Sequence, residues 1–382
     1  MRAPDPTTDA QRRGRLQRRT VEVASLDEFD AAAATAESMN GWHVRHVDLT
    51  SRTDALLRLE PAGALFLGCR LEPAVLVHLD AGGALVYPDV PGVPVDEYRN
   101  TLYTPDELYA GVASGYAGTP DARIYAWSQA GSSDPSFVAA RALHDAAIGA
   151  ALDVVLAADG RRVVGVMGGH AVARGSDDFV AAARLGWLLD RAGLHVATGG
   201  GPGAMEAANL GAYLAPRREA TIAAAAAVLA ATPSFRPSVA AWAAAALEVR
   251  ARWPGGASSL GVPTWHYGHE PPNAFASGIA KFLQNSVREA TLLNRCTGGV
   301  VFLRGAAGTV QEVFQDACEN YYADPAYVAP MVLVGEAYWT RDLPAWPLLQ
   351  ALAEGRGMAD SIVLVGDVDE AAAFVDTYWN RR

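Results

Sequence analysis

From Arg161 onward the chain repeats one pattern: a short apolar run, a glycine-rich turn, then a stretch with helical spacing. The runs fall at 163–167, 194–197, 260–265, 299–303, 331–334 and 362–365. The helical stretches fall at 177–192, 203–214, 274–293, 308–320 and 368–379. A strand that is apolar at every position has no side fit for water, so both faces of its sheet must be covered. Helices alternating with these strands supply that cover. The pattern predicts an α/β chain with a doubly wound, mainly parallel, Rossmann-like sheet. Residues 216–253 interrupt the alternation as an alanine-rich helical insertion broken at Pro233 and Pro237.

The rest of the chain divides around this core. Residues 1–19 are polar and carry Arg2, Arg12, Arg13, Arg15, Arg18 and Arg19, which reads as a disordered tail. Residues 20–150 read as an N-terminal α/β region, with short buried strands at 41–49, 63–69 and 83–87. Thr104-Pro105 reads as a helix start, threonine as the cap and proline in the first turn. A further helix is expected over 136–155. The third segment, 151–382, is the Rossmann-like domain.

Composition excludes several functions. Net charge is −11, against a broad nucleic-acid surface. Hydrophobic residues make up 51% of the chain, enough apolar surface to fold. Yet no apolar run is long enough for a membrane span, and no leader pattern opens the chain, so a cytoplasmic location is expected. Lys281 is the only lysine among 31 basic residues. Three widely spaced cysteines, Cys69, Cys296 and Cys318, argue against a disulfide framework or a thiolate metal cage. His266 and His269 lack the further ligands a zinc site needs. Neither a metal nor a cofactor is expected.

Three glycine-rich turns close strands where an open parallel sheet binds ligands. They are Gly168-Gly169-His170, Gly199-Gly200-Gly201-Pro202-Gly203 and Gly305-Ala306-Ala307-Gly308-Thr309. Each is expected to lead into a helix N-terminus, where free N–H groups and the helix dipole favour an anion such as phosphate. None has G-x-G-x-x-G spacing, and G-x-x-x-x-G-K-[ST] does not occur. That argues against NAD-dependent hydride transfer and against P-loop NTP hydrolysis.

Two of these turns carry a resemblance. Thr198 to Glu206, with Ala207, Ala208 and Asn209, resembles the second glycine motif of the LOG family. These are cytokinin riboside 5′-monophosphate phosphoribohydrolases and bacterial nucleotide 5′-monophosphate nucleosidases, once labelled "lysine decarboxylase-like". The segment from Arg304 to Glu312 is similar to the family's P-G-G-x-G-T-x-x-E, with Arg304 in place of proline and Ala306 in place of glycine. Arg288 matches the family arginine on the preceding helix, with a one-residue difference in spacing. The resemblance covers about residues 161–366, and the stretch 265–273 looks like a long bacterial subgroup.

The resemblance implies hydrolysis of the N-glycosidic bond of a nucleoside 5′-monophosphate, giving free base and ribose 5-phosphate. It implies catalytic roles for Glu312 and Arg288. It implies nucleotide contacts from Gly199, Gly200, Gly201, Gly203, Gly305, Ala307, Gly308 and Thr309, to which the strand-end reading of the first turn adds Gly168 and Gly169. His170, Arg174, Met205, Glu206 and Asn209 are further candidates. Glu206 also reads as a helix-capping carboxylate, and Arg304 as a cation either beside the phosphate or paired elsewhere. If the backbone at 306 needed a positive φ, alanine there would be strained.

The rival reading is a non-catalytic nucleotide sensor or carrier, since fold does not determine function. Pyridoxal-phosphate chemistry would need Lys281, read here as mid-helix with no glycine loop beside it. A homodimer or higher homo-oligomer is expected, with Phe235, Trp242 and Trp253 of the insertion as aromatic anchors and with support from the LOG resemblance.

Overall fold

The computed structural model describes residues 20–131, 133–266 and 270–380. The tail at 1–19 and His269 therefore lie outside the described residues. The chain forms two compact units, one ending at Val93 and the other spanning Pro94–Arg382.

The first unit is a four-stranded parallel sheet in the order β1 (Val21–Val23), β2 (Trp42–Arg45), β3 (Leu65–Leu67), β4 (Leu85–Tyr87). The three strands expected here are present, and β1 is an addition. Trp42, Val44 and Phe66 alternate onto one core with Phe29, Leu56, Val75 and Leu79 from the helices Leu26–Ala33, Thr53–Arg58 and Pro73–Ala81.

The second unit holds seven parallel strands: β5 (Val163–Met167), β6 (His195–Thr198), β7 (Leu260–Gly261), β8 (Gly278–Ile279), β9 (Gly299–Phe302), β10 (Met331–Val334) and β11 (Ile362–Val365). Their spatial order is β11-β10-β9-β5-β6-β7-β8. The chain winds outward from β5 through β6, β7 and β8, then returns to place β9 on the other side of β5. This reversal makes the carboxyl ends of β5 and β9 the switch point where such sheets bind ligands. The expected doubly wound α/β class is therefore the observed one.

Both faces are filled by strand alternation. Val164, Val166, Val196 and Val301 meet Phe179, Ala182, Leu185, Ala207 and Leu210 in one core. These come from the helices Asp177–Arg191 and Ala204–Leu214. Opposite, Val163, Ala197, Leu260 and Val262 border a small gap shared with Leu152 and Leu156 of helix Pro135–Asp159 and Leu292 of helix Asn285–Arg295.

Two expectations need correction. The helix read over 274–293 begins only at Asn285; residues 278–279 form β8, and Lys281 follows that strand rather than sitting mid-helix. Asn273 starts the change, its Oδ1 accepting the N–H groups of Phe275 and Ala276 at 3.1 Å each. Ala274, Phe275, Ala276, Ile279, Ala280, Phe282 and Leu283 are then buried. A short run buried all round cannot be told from a helix by periodicity alone. The second correction concerns Trp242. It is 1% exposed, and the Arg174 guanidinium lies 4.4 Å over its ring. The insertion helices Ala220–Leu229 and Val239–Arg252 give Ala225, Leu229, Ala246 and Val249 to the unit's own core. Trp242 is thus an interior side chain and not an anchor for a second copy. Among the described residues no helix is long and apolar enough to cross a membrane.

Candidate functional site

The three glycine turns lean on one another at the carboxyl ends of β5, β6 and β9. The N–H of Gly169 donates to the Arg304 carbonyl at 2.9 Å, joining the first turn to the third. The N–H of Ala204 donates to the Gly169 carbonyl at 3.1 Å, joining the first to the second. Gly203 has φ +73°, and a Cβ there would stand 2.5 Å from the Gly169 oxygen, so only glycine lets these turns close.

That closure and the burial of the second turn separate the three as anion sites. The expectation was an open helix N-terminus behind each. At the second turn Gly199, Gly200, Gly201 and Gly203 are buried, and the first helical N–H is spent on Gly169. Behind the first turn the helix starts only at Asp177, and its cap Ser176 accepts the Phe179 N–H at 3.2 Å. At the third turn the cap is Ala306, which has no side-chain acceptor, and Ala307 and Gly308 are exposed. Among the described residues, no partner is recorded for the N–H groups of Ala307, Gly308 and Thr309. These unused donors at the positive end of a sixteen-residue helix suit a phosphate.

Thr309 completes the third turn. It is buried, and a Cβ on Gly305 would lie 2.0 Å from its Oγ1, so the threonine folds back over the glycine. Ala306 has φ −97°, so the strain considered for alanine at that position does not arise. The Arg304 side chain lies against Gly335, just past β10. Gly305→Ala is expected to push Thr309 off its rotamer and abolish phosphomonoester binding. Gly308→Ala, with open space around it, should leave the thermal midpoint unchanged or slightly higher. Calorimetry and a melting curve on both variants check this; equal phosphate affinity in the two would refute the role of Gly305.

Arg288 and Glu312 come together beneath the turns. Helix Asn285–Arg295 is fixed at its start by Asp145, whose carboxylate accepts the N–H groups of Leu283 and Gln284 at 2.8 Å each. From its first turn the Arg288 guanidinium donates to the Val262 carbonyl at 2.7 Å and to the Gly199 carbonyl at 3.5 Å. Its Nη1 lies 3.2 Å from Glu312 Oε1, one turn inside the helix that follows β9. The pair therefore spans the ends of β6, β7 and β9. Burial raises the Glu312 pKa above the usual carboxylate range, and the Arg288 charge pulls it back.

The remaining candidates are placed differently. Arg174 and Glu206 form an interior ion pair, Arg174 Nε lying 3.1 Å from both carboxylate oxygens, and Glu206 is 0% exposed. Arg174 also donates to the Trp242 carbonyl at 2.9 Å. The hydrogen-bonding capacity of this pair is spent on the protein itself. Asn209 is likewise buried, accepting from Thr198 at 2.7 Å and donating to Ser259 and the Leu260 carbonyl. Asn273 joins that knot and donates to the Gly201 carbonyl at 3.2 Å, bracing the second turn. Met205 packs its thioether under Gly199 and Gly201.

His170 is exposed, and its Nδ1 lies 3.2 Å from Glu270 Oε1. Sequence reasoning missed Glu270 and Asn273; the Glu-Pro-Pro-Asn run at 270–273, with two prolines that exclude a regular helix, was the available signal. Lys281 is fully buried, its Nζ 2.6 Å from Asp121 Oδ1, and burial lowers its pKa. Asp121 also accepts from Tyr116 and Trp265. No group of three or more His, Cys, Asp or Glu side chains converges as a metal site among the described residues.

No protein-family model matches this sequence, and no curated protein matches it. Among solved structures, the molybdenum cofactor binding protein from the phototrophic bacterium Rippkaea orientalis is 14% identical. That match covers 57% of this chain and 98% of the other, with a TM-score of 0.36. The Moco carrier protein from Chlamydomonas reinhardtii is 18% identical, covering 58% of this chain and 99% of its own, with a TM-score of 0.37.

Proposed function

We propose that the second unit binds a nucleoside 5′-monophosphate or a similar phosphorylated ligand. The observation that carries this reading is the open helix N-terminus at Ala306–Thr309, with unused N–H donors at the switch point of the sheet. The phosphate sits on Ala307, Gly308 and Thr309, with the Thr309 hydroxyl beside it. The sugar extends toward Arg288 and Glu312.

A second reading, N-glycosidic hydrolysis as in the LOG family, is favoured by the Arg288–Glu312 pair. The bond between C1′ and the base nitrogen breaks, and the electron pair leaves with the base. The Glu312 carboxylate stabilises the positive charge on the ribose and takes a proton from the attacking water, the departing base takes its proton from solvent water, and Glu312 returns its own to solvent. Arg288 lowers the Glu312 pKa against the larger effect of burial and fixes the carboxylate's direction. Glu206 has no part in this step, because Arg174 encloses it. LOG membership, and with it a homo-oligomer, belongs to this reading; a sensor or carrier needs only the first.

Titration calorimetry with AMP, GMP, CMP, UMP, adenosine, ribose 5-phosphate and the molybdenum cofactor tests the binding. Phosphorylated ligands are expected to bind at least tenfold tighter than adenosine, a difference of about 1.4 kcal/mol. Equal affinity for AMP and adenosine would refute the phosphate site. Chromatography of the same mixtures separates the two uses: release of free base supports hydrolysis, and tight binding without release supports a carrier or sensor.

A further inference from the structure

The second glycine turn is buried, with its first helical N–H spent on Gly169, and a carboxylate stands over it. Glu270 stands over this turn: its Oε2 would lie 3.3 Å from a Cβ placed on Gly201, so the missing side chain is what leaves it room. Its other oxygen lies 3.2 Å from His170 Nδ1. A phosphate dianion brought to this face would meet a like charge, whereas at Ala306–Thr309 it meets N–H donors. The two turns therefore favour opposite chemistries.

With Nδ1 turned to Glu270, the His170 ring presents Nε2 to its surroundings, and more than half of that side chain is exposed. Nδ1–H donates to the Glu270 carboxylate, so the neutral ring leaves Nε2 as an acceptor beside the carboxylate's own acceptor oxygens. A neutral heterocycle whose edge carries amino or imino N–H donors matches that pattern. Phosphate and ribose do not compete for it, since under the reading above they are taken by the third turn and by Arg288 and Glu312.

We propose that His170, oriented by Glu270, is the base-reading contact of this site, and that its ligand carries a hydrogen-bonding heterocycle in addition to its phosphate. The inference rests on the phosphate reading above. Both residues lie outside the two glycine motifs and come from segments 100 positions apart in the chain.

The test measures AMP, GMP and ribose 5-phosphate affinities by calorimetry in the wild type, His170→Ala and Glu270→Gln. Wild type is expected to prefer the purine monophosphates over ribose 5-phosphate by about tenfold, the worth of one or two hydrogen bonds. Both variants should lose most of that preference while keeping ribose 5-phosphate affinity within about twofold. A purely structural role would weaken all three ligands together, and that outcome overturns the proposal. An unchanged preference in both variants overturns it too. If wild type binds ribose 5-phosphate as tightly as AMP, the phosphate reading stands and base reading falls. If wild type binds none of the three, the phosphate reading itself fails and takes this inference with it.

Discussion

Glu312→Gln is expected to lower base release from a nucleoside 5′-monophosphate by about 100-fold or more, with ligand affinity nearly unchanged. The amide keeps the shape and one acceptor but removes the charge that stabilises a developing ribose cation, and such groups are typically worth 10²–10³ in rate. The sign of the pH dependence follows from burial. Glu312 has its pKa raised by desolvation, and only the ionised form can take a proton from water. Turnover should therefore climb with pH through that raised value. Arg288 is the group that pulls the value down, so Arg288→Gln should move the rising limb to higher pH as well as slow the reaction. Steady-state rates between pH 4 and 9 check both statements. Turnover in Glu312→Gln within threefold of wild type would remove Glu312 from the chemistry and leave the site as a binding site.

Arg174→Met is expected to destabilise the protein by about 3–5 kcal/mol at neutral pH, because it strands the Glu206 carboxylate in the interior. Glu206 is 0% exposed, and its charge is balanced by Arg174. The double variant Arg174→Met with Glu206→Leu should recover most of the loss, since no buried charge then remains. Burial already raises the Glu206 pKa, and removing Arg174 raises it further. An acid with a raised native pKa binds its proton more tightly folded than unfolded, so its charged form costs stability as pH rises. The single variant's deficit should accordingly shrink as pH falls toward the carboxylate range. Urea unfolding at two pH values measures this; a double variant no better than the single would show that Arg174 acts through packing on Trp242 instead.

Much of the architecture was legible in the order of residues. Apolar runs such as Val163–Met167 and Met331–Val334 have no polar alternation, which forces a strand covered on both sides. Glycine at their ends marks the turns, and the helices after β5, β6 and β9 follow. Arg288 and Glu312 were readable because motif spacing along a chain survives folding, and both stand on helices facing the same strand ends. Period and spacing are local properties, and these features depend on little else.

The tertiary structure decided what depends on who meets whom. Three turns looked alike in sequence, yet the second is buried with its first helical donor on the Gly169 carbonyl, Ser176 caps the helix behind the first, and the third leads straight into an exposed helix start with no side-chain cap. The run from Ala274 to Leu283 was apolar enough for a helix, but Asn273 and pairing with β7 made it a strand and a turn, and carried Lys281 into the interior against Asp121. Arg174 met Glu206, and His170 met Glu270, across separations that no periodicity encodes. Each is a question of hydrogen-bond and charge satisfaction between distant segments. Such partners are chosen only when packing brings the segments together, which is why the sequence alone named candidates but not which of them would meet.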